Sequence, residues 1–233
     1  MRPPRTFIIA VLLAALASVA ACGDDDNGGA AAGDPSLPQA TTLLADAAMQ
    51  MRMVTSAAFD ITTDGDTGAL PIRTANGVID NAGTAQGTAT LEQVGMPIEL
   101  SFVAKDQFLY VKGLTAGWQK VPLAQAAAVY DPTAILDPDK GIGAVLASAQ
   151  GTTKGRETLD GVEHYVVDAT FKGAAMAGLV PGVTGDVTGT VWIGVDKPLI
   201  NQLRFAVPGD GKGTVLIKFA DFDKPVNVDV PAV

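Results

Sequence analysis

The chain carries one cysteine, one histidine and few aromatic side chains (6%), and its 16 Lys and Arg are outnumbered by 25 Asp and Glu. Each shortage removes a class of function. A single cysteine, Cys22, excludes an intramolecular disulfide framework and a Cys-rich zinc module. A single histidine, His164, leaves little room for histidine-based catalysis or metal ligation. A net charge of −9 supplies no basic field to neutralise phosphates, which argues against a nucleic-acid partner. What the 233 residues do have is 48% hydrophobic content, 26 Gly and 14 Pro. That composition describes a folded, turn-rich, mostly β protein with a single core.

The N-terminus reads as a lipoprotein signal peptide over residues 1–21. Arg2 and Arg5 form a positive n-region, and Phe7 to Ala17 an apolar stretch too short to span about 30 Å of hydrocarbon. Val19-Ala20-Ala21-Cys22 then supplies an aliphatic residue, two small residues and a cysteine, the pattern a lipoprotein peptidase cuts. The Cys22 thiol is the expected lipidation site and membrane anchor, because two or more acyl chains hold a protein durably. Cleavage removes two positive charges and leaves the mature chain more acidic still. Residues 22–40, rich in Gly, Ala and Asp, lack hydrophobic periodicity and read as a flexible acidic tether. Asp24, Asp25 and Asp26 have no convergent partners that would make them a calcium site. The expected location is extracytoplasmic, on the outer face of the cell membrane.

Residues 41–233 read as one domain. Thr41 or Thr42 is positioned to cap a helix running to about Val54, with Leu43, Leu44, Ala47, Ala48, Met51 and Val54 on one stripe. Thereafter the period is two. Phe59/Ile61, Ile98/Leu100/Phe102, Phe108/Tyr110 and Tyr165/Val167/Ala169/Phe171 each share a face. So do Val191/Ile193/Val195, Leu203/Phe205/Val207, Val215/Ile217/Phe219 and Val226/Val228/Val230. Turn signals such as Asp64-Gly65, Lys105-Asp106, Asp160-Gly161 and Pro208-Gly209-Asp210-Gly211 separate these runs, giving an antiparallel meander of about ten strands with one apolar face. Asp131-Pro132 and Asp137-Pro138 are two helix-start signals, and Ala174 to Val180 suggests a further short helix. A wide apolar face under few, small-faced helices suggests a cavity, set against close packing as the ordinary state of an interior.

The segment Tyr130-Asp131-Pro132-Thr133-Ala134-Ile135-Leu136-Asp137-Pro138 and its continuation to Leu146 resembles the helical signature of the LppX/LprAFG lipoproteins of mycobacteria and other actinobacteria. Gly117-Trp118, the Gly155-Arg156-Glu157 to Val162 stretch, Thr190-Val191-Trp192-Ile193, Leu203-Arg204-Phe205 and Phe222-Asp223-Lys224-Pro225 come in the order expected of that family. The resemblance implies an α+β, mainly antiparallel fold: a U-shaped half-barrel with a few helices covering its concave face. It also implies a di- or triacylated lipid or glycolipid held in a hydrophobic cavity and carried or handed toward the outer envelope. Neither catalytic residues nor a cofactor or metal are implied. On the shared faces, Phe59, Ile61, Ile98, Leu100, Phe102, Phe108, Tyr110, Val191, Ile193, Leu203, Phe205, Val215 and Ile217 are candidate cavity walls. Met51, Ile142, Val145 and Leu146 are candidate lid contacts. Ordinary core packing is the competing role for each.

Other functions are weaker. His164 alternates with Tyr165 and Val167 and is expected to face solvent, without a nucleophile elbow, phosphate loop or two-histidine motif beside it. Met49, Met51 and Met53 mimic a thioether copper site, yet on a helix Met51 points away from both neighbours. The serious rival is an interaction protein with an ordinary filled core, docking a membrane transporter, sensor or cell-wall enzyme. Trp118 and Trp192 are candidate headgroup-level anchors, with outer-face packing an equal alternative for Trp192. Lys105, Lys112 and Lys120 are available for a local anionic headgroup.

Overall fold

The structure is a computed structural model. It describes residues 36–67, 70–93, 95–113, 117–126, 131–180, 183–207 and 213–233. The signal peptide, Cys22, most of the tether, Tyr130 and the Pro208 to Gly211 turn lie outside the described residues.

Eleven strands, against about ten expected, form one antiparallel sheet. They are β1 (Ser56–Asp64), β2 (Ile72–Asp80), β3 (Ala85–Gln93), β4 (Met96–Lys105), β5 (Phe108–Gly113), β6 (Gln119–Pro122), β7 (Gln150–Leu159), β8 (Val162–Phe171), β9 (Val187–Gly194), β10 (Ile200–Ala206) and β11 (Thr214–Ala220). The order is β6-β5-β4-β3-β2-β1-β11-β10-β9-β8-β7. The meander therefore runs outward from β1 to β6, restarts at the far edge with β7, and returns until β11 pairs with β1 at the centre. The register there joins Ala58 to Ala220 and Asp64 to Thr214. Edges β6 and β7 do not pair with each other, so the sheet is open rather than a closed barrel.

Bending such a sheet requires backbones to approach where a side chain would intervene. Gly77 and Gly87 face each other between Phe59 and Phe102 in one cross-strand row. A Cβ on Gly77 would lie 2.1 Å from the Gln86 carbonyl oxygen, and one on Gly87 2.1 Å from that of Asn76. Only glycine fits that pair of positions.

The helices lie against one face. α1 (Ala40–Met53) buries Leu43, Leu44, Ala47, Ala48 and Met51 and leaves Met49 and Met53 exposed, as its periodicity predicts. It starts one residue before Thr41, at a Gln39 cap without a side-chain hydrogen bond. α1 packs on α3 (Ile142–Ala147) through Gly143, where a Cβ would come within 2.6 Å of Arg52 Cγ and 3.1 Å of the Ala48 carbonyl oxygen. Asp131 does cap, but the element it caps is a single 3-10 helix, Pro132–Leu136, whose Thr133 N–H donates to Asp131 Oδ1 at 2.9 Å. Asp137 does not start a helix. Its carboxylate accepts from the N–H groups of Asp139 (2.9 Å) and Lys140 (3.1 Å), closing a turn, and α3 begins only at Ile142. α2 (Leu123–Ala126) comes directly after β6, and α4 (Gly173–Met176) is shorter than expected, with Leu179 and Val180 buried beyond it.

Two expectations are corrected. Val226 to Val230 do not form a strand; the C-terminal tail instead packs Val226 and Val228 on Val103, Tyr110, Phe108 and Trp118. It is tied down where the Thr55 N–H donates to Asp223 Oδ1 (2.8 Å) and Lys105 Nζ donates to the Val228 carbonyl (2.8 Å). His164 is not in solvent but 1% exposed, with Nδ1 2.8 Å from the Val162 carbonyl oxygen and Nε2 3.0 Å from Asn201 Oδ1. Trp192 and Val166, paired beside it, are buried on the same face, so the outer surface of β8–β10 carries a small packed layer of its own.

Candidate functional site

The helices cover the two halves of the concave face unequally, which places the candidate site. Over β7–β11, the residues Val167, Val191, Ile193 and Leu203 are fully buried beneath α1, α3 and α4. Where this half meets β1 and β2, the opening is a cavity of only about 30 Å³, between Ile61, Phe205, Val215 and Ile217 on the sheet and Ile135, Ile142 and Met176 on the helices. Over β1–β6, an apolar groove of about 490 Å³ remains.

Side-chain size explains the groove. Along its floor the cross-strand row Ile61–Ala75–Ala89–Leu100 places two alanines between two large residues. The neighbouring row places Gly77 and Gly87 between Phe59 and Phe102. Small residues in the middle and large ones at the flanks leave a trough that close packing would otherwise fill. Leu109, Val111 and Val121 form its far wall on β5 and β6, and Ala126 and Pro132 stand at its margin. Gln125 is its polar lining side chain. The opposite face of the same strands carries Thr74, Asn76, Thr88, Thr90 and Ser101, so this half of the sheet is polar outside and apolar inside.

Of the candidate wall residues, Phe59, Leu100 and Phe102 line the groove. Ile98 shares their face opposite Leu91, half-buried near the β3–β4 turn. Ile61, Ile142, Phe205, Val215 and Ile217 surround the small central cavity. Met51, Val145, Leu146, Val191, Ile193 and Leu203 are buried in the packed core. Phe108 and Tyr110 are corrected: they lie on the opposite face, because Tyr110 pairs with Val103 and Phe108 with Lys105. The hairpin joining β4 to β5 is a two-residue turn, Asp106 and Gln107, with φ of 52° and 66°. That turn type fixes Lys105 opposite Phe108 and so turns Leu109 and Val111 inward. Val121, Ala75 and Ala89 are further groove residues that hydrophobic alternation does not single out.

The candidate headgroup residues lie away from the groove, Lys112 on the outer face opposite Ser101. Lys105 holds the tail, and Lys120 Nζ stands 3.8 Å from the Phe108 ring centroid on the outer face. Trp192 Nε1 donates to Glu157 Oε2 at 2.7 Å, and Trp118 packs in the outer cluster with Tyr110. Among the described residues no three His, Cys, Asp or Glu side chains converge, and no helix is long and apolar enough to cross a membrane.

With this geometry in place, comparison with known proteins is specific. The model of the LppX_LprAFG lipoprotein family matches residues 39–228. The lipoarabinomannan carrier protein LprG of Mycolicibacterium smegmatis is 33% identical over 233 residues, covering 97% of each chain. That of Mycolicibacterium hassiacum is 34% identical over 205 residues, covering 84% of this chain and 86% of its own. Among solved structures, LprF from Mycobacterium bovis superposes with a TM-score of 0.74 at 24% identity, covering 83% of this chain and 97% of that one. LppX from Mycobacterium tuberculosis gives 0.60 at 19% identity, covering 81% and 98%. The half-barrel expected from the sequence is the fold these neighbours share.

Proposed function

Since the chain belongs to the LppX/LprAFG lipoprotein family, we propose that it is an envelope lipoprotein that binds acylated lipids or glycolipids in the β1–β6 groove. The observation that carries this reading is the groove itself, a 490 Å³ apolar trough in a domain whose other half is packed. Leaving an acyl chain in water costs about 0.8 kcal/mol per methylene, so a sixteen-carbon chain forfeits more than about 10 kcal/mol. A carrier needs a dry trough for the chain, little polarity along it and an open side for the headgroup. The groove meets these needs, with polar Gln125 among its lining residues.

Cys22 supplies the anchor in this reading and the acidic segment after it a tether. Its roughly 16 residues reach at most about 55 Å fully extended. The protein therefore loads at its own membrane and passes lipid to a partner, a membrane transporter or a second carrier, rather than crossing a wide periplasm.

The test is native mass spectrometry of residues 36–233, which lack Cys22, purified gently from a mycobacterial or similar envelope-bearing host. Added masses that dissociate as acylated lipids support carriage. An apo mass with no uptake from an envelope lipid extract overturns it in favour of the docking protein.

A further inference from the structure

We infer that the standing groove takes one acyl chain, and that a second chain enters only by displacing the 3-10 helix Pro132–Leu136. The inference rests on the lipid-binding reading above. At interior packing density a methylene occupies about 27 Å³, so the groove's 490 Å³ matches one chain of about eighteen carbons. The central cavity, at about 30 Å³, is far smaller. The two spaces are neighbours: Ile72 lines both. Between them stands the 3-10 helix, with Pro132 on the groove side and Ile135 on the cavity side. Moving this one turn of chain joins the two spaces and opens the sheet surface around Ile61, Val215 and Ile217 to a second chain.

The partition is a single short turn of chain, tied at its two ends and buried between them. At its ends the Ala134 N–H donates to the Asp131 carbonyl (3.2 Å) and the Asp137 N–H to that of Ala134 (3.2 Å). The Asp131 side chain caps Thr133, and Lys140 Nζ sits 3.9 Å from Asp131 and 3.7 Å from Asp137, more than half exposed to solvent. What keeps it in place is burial of Ala134, Ile135 and Leu136, an apolar contact that an incoming acyl chain replaces in kind.

The experiment compares a one-chain probe, palmitoyl lysophosphatidylcholine, with a two-chain probe, dipalmitoyl phosphatidylcholine, on residues 36–233, which retain every described element. Stoichiometry is read by native mass spectrometry and opening by hydrogen exchange of the 133–137 amides. The one-chain probe should bind once with exchange unchanged. The two-chain probe should bind only with exchange there at least tenfold faster. Ala89→Phe, which fills the floor, should weaken the one-chain probe at least tenfold; Ala75→Leu gives the same readout if the first variant folds poorly. Two equivalents of the one-chain probe, a two-chain complex with unchanged exchange, or floor variants that bind normally would each overturn the inference while leaving lipid binding standing. Uptake of neither probe, nor of any lipid from an envelope extract, would overturn both.

Discussion

The two arms of the sheet use the same strand alternation to opposite ends. On β8–β11 most inward positions are large and aliphatic or aromatic, Ala169 and Gly189 being the small ones, and α1, α3 and α4 lie on them, so the interior is filled. On β1–β6 the inward positions at the centre are Ala75, Gly77, Gly87 and Ala89, and among the described residues no long helix covers them. A vacancy in a protein is thus built from both sides, by small residues below and a missing layer above. The filled arm supplies the stability that lets the other remain open.

Substitutions in the two arms should therefore separate. Phe205→Ala, in the packed arm, should cost about 3–5 kcal/mol by urea denaturation, because its neighbours cannot collapse into the space. Phe102→Ala should cost about 2 kcal/mol, since the ring already borders open volume and its removal widens a groove rather than creating a void. It should lower acyl-lipid retention instead. Equal losses from the two would show the arms to be packed alike. Deleting residues 226–233 should cost about 1 kcal/mol, by uncovering Val103 and Tyr110 on the outer face, and should leave lipid retention unchanged.

The smallest effect is electrostatic and belongs to the filled arm. The Asp186 carboxyl is held below the ordinary carboxylate range by the hydrogen bond from Lys172, aided by the Gly173 N–H. Its contribution to stability is present above the unfolded-state value near 4 and is lost as pH falls through the lower folded value. The urea midpoint difference between the wild type and Asp186→Asn should thus shrink between pH 5 and pH 3, screened by its solvent exposure. A gap that persists at the lower pH would show that the carboxylate charge is not what fastens α4.

Much of this architecture is legible in the sequence, and the illegible parts have definite causes. Strands β4 and β8–β11 alternate large apolar with polar residues, and α1 shows its stripe. By contrast β2 and β3 carry Ala, Gly and Thr, which give little hydrophobic period, and these are the strands whose smallness makes the groove. β5 reads Phe108-Leu109-Tyr110-Val111, apolar at every position, so periodicity does not choose its inner face. The signal that does is the Asp106-Gln107 turn, which sets Lys105 against Phe108 and puts the aromatic pair outside. Alternation misplaces His164 because it assumes that one face of a sheet meets water, whereas Asn201 from β10 reaches its ring. The helix signal at Asp137 is likewise a local competition, won by the turn its carboxylate closes.

The seam between β1 and β11 makes folding wait for the end of the chain. Each arm is a run of neighbouring hairpins, assembled from contacts close in sequence, while the seam joins strands separated by roughly 150 residues and is the slow closure that topology imposes. At about 5–20 residues per second, ribosomal synthesis needs roughly eight to thirty seconds after β1 before β11 exists. Until then β1 presents an unsatisfied edge next to an apolar trough, the combination that invites aggregation. The partner that covers this edge is the last strand made, and its seven residues decide when the exposure ends.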